Sequence, residues 1–423
     1  MRLEDFFGEN YHYLWSDRWD IEDNKIWFMA GTFDFLFCLD SETGETFLID
    51  HIPTDNVYAF RSHPRCIKIN DLIVCLPDNG KNIWCYHIST GLWTSIPYEG
   101  KEEIRLACYS AWYIQGRLYV LSCGMKQIIE VDLDKEFIID YYNFPTKNED
   151  GFTNGILING YIYTASTHPV NIYKFNVSDK NIEKYTLPEI DDQIQTFCFD
   201  GDKFWLTGRH KTLYVWREEI KKTLLKKNIP DSFQIWNFSG TYDNLLNHIG
   251  ESEQSPLFTA SISVDQYIWL IPFQTNEILY VDKDTYEVKV FSIKEEIQTE
   301  SDVRNQLLRH KYLLEYIKDN RYIGLFSLKN KWVFEIDCQE LNYRILDYEL
   351  TFDLCSQIEE IFWLEDNYMI FYQKGNVYEQ GKVNLSTMIK CMKMRDYKQI
   401  INEKQNNNSL VGERIYSFIN KHI

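Results

Sequence analysis

The chain has 423 residues, 44% hydrophobic and 16% aromatic, enough to build a sizeable core and to exclude disorder over most of its length. Its 63 Asp and Glu against 44 Lys and Arg give a formal net charge of −19, and an acidic surface repels phosphate backbones and anionic lipid. Neither nucleic-acid binding nor membrane binding is therefore expected; no run reaches the ~18 apolar residues of a membrane helix, and residues 1–15 lack a basic start followed by an apolar stretch.

In chain order, the sequence repeats one unit of short β-rich runs separated by turn residues. The first apolar residues of the most apolar runs are Ile26, Leu72, Leu118, Ile162, Phe204, Ile268, Ile323 and Met369. Successive differences are 46, 46, 44, 42, 64, 55 and 46, a period of about 40–50 residues that suits propeller blades. A second register follows: the next run ends in Asp40, His87, Asp132, Asn176, Arg217, Asp282 and Asp337, where an acceptor side chain can bond the amides of the turn after it. A third closes the unit with proline, at Ile52-Pro53, Ile96-Pro97, Phe144-Pro145, Leu187-Pro188 and Ile229-Pro230, because proline cannot donate to a ladder. That register makes Lys221 to Lys227 an outer strand with its lysines in water, although its composition is helical.

One more run precedes each first-column residue and ends in a hairpin turn such as Asn70-Asp71, Asn159-Gly160 or Asp319-Asn320. Small residues there (Ala107, Ser110, Thr153 to Gly155, Thr259 to Ser263) suit the crowded strand nearest a propeller axis. Each unit thus has four strands, a to d, from the axis outwards.

The expected fold is all-β: a β-propeller of eight four-stranded blades over residues 1–385, with seven as the alternative, and a helical C-terminal tail over 386–423. The eighth unit shows strands a to c without a clear d, and Arg2–Phe7 would complete it. The two long spacings place insertions at 231–257 and 294–311, and Ser301 to Tyr316 reads as a short helix.

The runs Tyr-Ile-Trp-Leu-Ile-Pro…Ile-Leu-Tyr-Val-Asp-Lys-Asp-Thr (from Tyr267) and Ile-Trp-Cys-Tyr-His-Ile-Ser-Thr-Gly-Leu-Trp-Thr-Ser-Ile-Pro (Ile83 to Pro97) resemble kelch-type propeller repeats. In that family strand c ends in an aromatic and an Asp, and strand d carries Trp and then Leu-Pro. The resemblance covers roughly residues 11–380 and departs in lacking the Gly-Gly pair after strand b, which Ala30-Gly31, Cys123-Gly124 and Gly208-Arg209 only approximate. It implies a fold and a binding role, and no reaction.

No metalloprotease, nucleophile-elbow, P-loop or dinucleotide motif occurs, and no cofactor or metal is expected. His63 and His168 read as loop or strand-end residues, and Asp191-Asp192 and Glu359-Glu360 as solvated edges, since neighbours on a strand point to opposite faces. The 10 cysteines are scattered and largely sit on apolar runs (Cys38, Cys75, Cys85, Cys123, Cys198, Cys338) as small buried hydrophobes; Cys75 and Cys85 fall on neighbouring strands. Free thiols imply a reducing cytoplasm.

The expected function is therefore non-catalytic binding of a protein, peptide or saccharide, the alternative being a propeller enzyme acting on carbohydrate. Loops b–c and connections d–a leave a propeller on one face, and both insertions rise there over blades 5 to 7. The first carries Phe233, Trp236, Phe238, Tyr242 and His248, and the b–c loops beneath contribute Arg209, His210, Lys211, Phe273, Gln274 and Lys329. This basic and aromatic patch on an acidic protein is the expected ligand site, for an anionic or polar group.

Overall fold

A computed structural model describes residues 20–22, 25–30, 35–40, 46–53, 62–78, 80–98, 106–146, 151–230, 257–272, 277–294, 312–327, 332–349, 358–363 and 369–373. It forms a seven-bladed β-propeller. Strands a to d are Asp20–Glu22, Lys25–Ala30, Phe35–Asp40 and Thr46–His51 in blade 1; Arg65–Ile69, Leu72–Leu76, Asn82–His87 and Leu92–Pro97 in blade 2; and Cys108–Ile114, Arg117–Ser122, Gln127–Asp132 and Phe137–Asn143 in blade 3. Blade 4 has Ile156–Ile158, Tyr161–Ala165, Asn171–Asn176 and Ile182–Thr186, and blade 5 has Ile194–Phe199, Phe204–Gly208, Thr212–Arg217 and Lys222–Asn228. Phe258–Val264, Tyr267–Pro272, Glu277–Asp282 and Val288–Ser292 make blade 6, and Tyr312–Lys318, Tyr322–Ser327, Trp332–Asp337 and Asn342–Glu349 make blade 7. Every blade is an antiparallel meander.

The expected eighth unit is a two-stranded sheet, Ile358–Trp363 with Met369–Gln373. This corrects the expected eight blades to the alternative of seven, because the period marks where a hairpin opens and not whether a full meander follows. Most of both insertions, the N-terminal segment and the helical tail lie outside the described residues. The expected helix Ser301 to Tyr316 is corrected where it is described: Tyr312 to Tyr316 belongs to strand a of blade 7 and pairs with Tyr322–Ser327. Cross-strand pairing there outweighs helical composition.

The three registers have structural causes. All seven second-column residues end strand c, and four of them cap the following turn: Asp132 Oδ1 accepts from the Lys135 amide (3.1 Å), Asn176 Oδ1 from Ser178 (2.9 Å), Asp282 Oδ1 from Thr285 (2.8 Å) and Asp337 Oδ1 from Gln339 (3.0 Å). Before each closing proline, the apolar residue is buried: Ile52, Ile96, Phe144, Leu187 and Ile229. The amides of Phe144, Leu187 and Ile229 add one last rung, to the carbonyls of Lys126, Val170 and Lys211, before proline ends the ladder. Hairpin turns use left-handed residues, with Asn159 and Gly160 at φ +48° and +81° and Asp319 and Asn320 at +54° and +46°, as two-residue turns between twisted strands require. The lysine-rich segment is strand d of blade 5, with Lys222 and Lys226 exposed.

Each described hydrophobic cluster straddles two neighbouring blades, from blades 1 and 2 through blades 6 and 7. Strands b and c are therefore covered on both faces, which is why they are mostly apolar, whereas strand d of blade 5 alternates. Strands a of blades 1 and 2, 2 and 3, and 5 and 6 touch, which places them nearest the axis. The small-residue expectation holds at Gly155, where a Cβ would come 2.4 Å from Trp112 Cη2. All described cysteines are buried thiols; Cys75 pairs with Cys66 across strands a and b, while Cys85 pairs with Val74.

Two of the seams carry the same polar staple with its charges exchanged. Between blades 3 and 4, Glu130 on strand c accepts from the hydroxyls of Tyr119 (2.9 Å, strand b) and Tyr142 (2.6 Å, strand d), and Lys180 reaches it from blade 4 at 2.9 Å. Between blades 4 and 5 the equivalent strand-c position is Lys174, flanked by Tyr163 and Tyr185. Glu218 reaches in from blade 5 to meet Lys174 at 2.6 Å, Tyr163 at 2.8 Å and Tyr185 at 3.0 Å. Burial pushes both carboxyls up, but the hydrogen bonds from Tyr142, Lys180 and Tyr119, and from Lys174, Tyr163 and Tyr185, together hold each below its ordinary 4.5. A lowered carboxyl adds stability above 4.5 that disappears as pH falls through the lower folded value. Glu130→Gln is expected to cost about 1–3 kcal/mol at neutral pH. In urea titrations its deficit should shrink on acidification below the carboxylate range; a deficit independent of pH would remove the ionised staple.

Candidate functional site

The b–c loop of blade 5 is only three residues long, and all three are anchored by their backbones. The Arg209 amide donates to the Gln193 carbonyl (3.0 Å), the His210 amide to Asp192 Oδ1 (3.2 Å), and the Lys211 carbonyl accepts from the Ile229 amide (2.7 Å). Lys211 closes the loop at φ +56°. The side chains of Arg209 and Lys211 are half-exposed and that of His210 is 73% exposed. The structure thus brings together three residues named from sequence. Trp236, Phe273, Gln274 and Lys329 lie outside the described residues.

Asp192 organises this loop, a role not read from the sequence. It lies in the connection from blade 4 to blade 5 and is 2% exposed, which corrects its reading as a solvated edge. Its Oδ1 accepts from the Gln193 amide (2.8 Å) and from His210, and its Oδ2 accepts from the Tyr214 hydroxyl (3.0 Å). Here the chain runs in a d–a connection, so strict strand alternation does not apply, and donors inside the turn replace water around the carboxylate. Burial first, then the charge of Asp192, pushes the Tyr214 hydroxyl up to about 12, so it stays a donor.

Gly208 permits this approach: a Cβ there would lie 1.9 Å from Asp192 Oδ2. A glycine at the end of a mostly apolar strand b was the available signal, since such a position has no packing reason to lack a side chain. His168 lies in the b–c loop of blade 4, as expected; it is exposed, and its Nδ1 lies 3.4 Å from the Asp192 carbonyl oxygen. The Arg209 guanidinium donates to Gln193 Oε1 at 3.3 Å.

A second polar group gathers where strands a begin on this face. Arg65 donates to the Tyr109 carbonyl and, at 3.5 Å, to Asn154 Oδ1, with its guanidinium 4.6 Å from the centre of the Tyr109 ring. Blades 2, 3 and 4 are thereby joined near the axis. Among the described residues no set of three or more His, Cys, Asp or Glu side chains is placed to hold a metal ion.

No protein-family profile matches the sequence, and no curated protein matches it. Among solved structures, PorZ, an essential surface component of the type-IX secretion system of Porphyromonas gingivalis, aligns with 84% of the chain at 12% identity and a TM-score of 0.51. The chain spans 41% of that protein's length. U3-55K aligns with 75% of the chain, over 89% of its own length, at 8% identity and a TM-score of 0.52. These likenesses are of fold.

Gly208→Ala is expected to force Asp192 or strand b aside and to cost about 1–3 kcal/mol, read as a lowered urea midpoint. A midpoint equal to the parent's would show that the loop does not depend on this close approach.

Proposed function

We propose that this propeller is a non-catalytic, kelch-like binding module that grips a protein, peptide or saccharide on its loop face, at the blade 5 loop. The observation that carries the reading is the Asp192 anchor: a buried carboxylate and three backbone hydrogen bonds hold Arg209, His210 and Lys211 in place and leave His210 outermost. Anchoring a loop lowers the ordering cost of binding, so side chains so held are ready to meet a ligand. On a chain of net charge −19, a local run of Arg, His and Lys favours an anionic or polar ligand. Trp236 and its neighbours in the insertion, with Phe273, Gln274 and Lys329, belong to the same proposed face. The polar contacts of Arg65, Tyr109 and Asn154 near the axis also accord with binding. A reducing cytoplasm is proposed as the setting, in keeping with the buried thiols.

Affinity capture from native lysate, with parent and variant side by side, tests this. Arg209→Ala with Lys211→Ala and Trp236→Ala is expected to cost about 2–4 kcal/mol of binding in total while the melting temperature holds. Capture of the same partners by parent and variant would place the site elsewhere.

A further inference from the structure

Strand a breaks its register at the same step in one blade after another. In blade 3 Leu121 pairs with Ser110 but Ser122 with Cys108, which leaves Tyr109 as an extra residue. In blade 5 Thr207 pairs with Thr196 and Gly208 with Ile194, leaving Gln195; in blade 6 Ile271 pairs with Ala260 and Pro272 with Phe258, leaving Thr259. Blade 4 fits one residue too many between the pairs Phe152 with Ser166 and Ile156 with Tyr163, and Asn154 lies in that stretch. Blade 7 is irregular at the same step, between Tyr312 and Glu315. Each break lies opposite the end of strand b, so all sit at one level, on the face where the b–c loops leave. Arg65 opens strand a of blade 2 at that level too, opposite Leu76.

A β-bulge turns one side chain out of the strand's alternation, and bulges gather next to active sites. Neighbouring blades cover the faces of each sheet, and strand b covers the outer edge of strand a, so what strand a leaves exposed here faces the axis. Tyr109, Gln195 and Thr259 are half-exposed between buried neighbours, and Asn154 is exposed. All four are uncharged and all can hydrogen-bond. Gln195 Oε1 accepts from the Leu257 amide at 2.9 Å, and among the described residues its NH2 group meets no partner. The Asn154 carboxamide is likewise held through its oxygen, 3.5 Å from the Arg65 guanidinium, and its NH2 remains to donate. Thr259 Oγ1 donates to the Ile271 carbonyl at 3.4 Å and keeps its lone pairs as acceptors. Arg65 is engaged within the protein, by the Tyr109 carbonyl, by Asn154 and by the Tyr109 ring, whose centre lies 4.6 Å from it.

We propose that the axial mouth of the loop face is a site for a neutral saccharide, whose hydroxyls meet Asn154, Gln195 and Thr259 beside the Tyr109 ring. Two amide donors and a hydroxyl acceptor, spread around an axis instead of along a line, suit a compact polyhydroxylated ring better than an extended chain. The site shares the loop face with the reading above but none of the residues Arg209, Lys211 and Trp236, so either can fail alone.

Calorimetric titration of the full chain with maltotriose, cellotriose and tri-N-acetylchitotriose, and with tetraglycine as a main-chain probe, tests it. At least one trisaccharide is expected to bind in the millimolar range or tighter, and tetraglycine is not. Gln195→Glu and Asn154→Asp keep the oxygens that meet Leu257 and Arg65 and remove only the donors. Each should weaken the saccharide about tenfold with the melting temperature unchanged, and Thr259→Val about fivefold. The variant carrying Arg209→Ala, Lys211→Ala and Trp236→Ala should bind the saccharide as the parent does. Absence of binding by all three trisaccharides, tetraglycine binding in their place, or parent affinity in all three axial variants would overturn the saccharide site. A loss confined to the Arg209, Lys211 and Trp236 variant would also overturn it, and would move the sugar to the blade 5 loop.

Discussion

The structure depends on burial between blades. A four-stranded meander on its own leaves one sheet face or the other in water, and such a sheet is barely stable alone. Here the described hydrophobic clusters lie between neighbours, so each blade completes the core of the next. A buried Leu, Ile, Val or Phe is worth roughly 1.5–3 kcal/mol, and Trp205, Trp216 and Trp269 are fully buried in this packing. Stability is therefore a property of the array, as in other repeat architectures.

Packing of this kind is non-directional and does not fix how far one blade slides against the next. The two tyrosine-flanked staples supply direction. Their frameworks match position for position, with Tyr119, Glu130 and Tyr142 answered one blade later by Tyr163, Lys174 and Tyr185, but the acid and the base have changed places. A lysine from blade 4 meets an acid in one seam, and an acid from blade 5 meets a lysine in the next. Neither acid would be satisfied beside the wrong neighbour, which ties each seam to one partner.

The candidate site uses a buried polar group in a third way. Asp192 sits in the connection between blades 4 and 5, and amides and a tyrosine hydroxyl donate to it, while the His210 ring lies 3.1 Å from it. Its cost of burial is offset by those bonds, and the result is a short loop with its backbone fixed and its basic side chains outward. The scaffold is rigid where recognition needs it, and function sits in the loops that the scaffold holds.

The sequence by itself determined the blade plan. Aspartates such as Asp282 and Asp337 must follow strand c because the next turn needs an acceptor, and prolines such as Pro145 and Pro230 must follow the last rung because they cannot donate. These are local requirements, and the closing proline recurs in blades 1 to 5 at nearly fixed spacing. The sequence also placed Arg209, His210 and Lys211 on a loop, since Gly208 and Thr212 bound two apolar runs. It did not show that seven units close as full meanders, because a hairpin such as Ile358–Trp363 with Met369–Gln373 opens like a blade and, among the described residues, stays two-stranded. Nor did it show Asp192 beneath His210 or His168 beside them, nor Glu130 and Lys180 across a seam. Those contacts join residues from different blades, and their spacing in the chain carries no period. Only the packing of one blade against the next decided them.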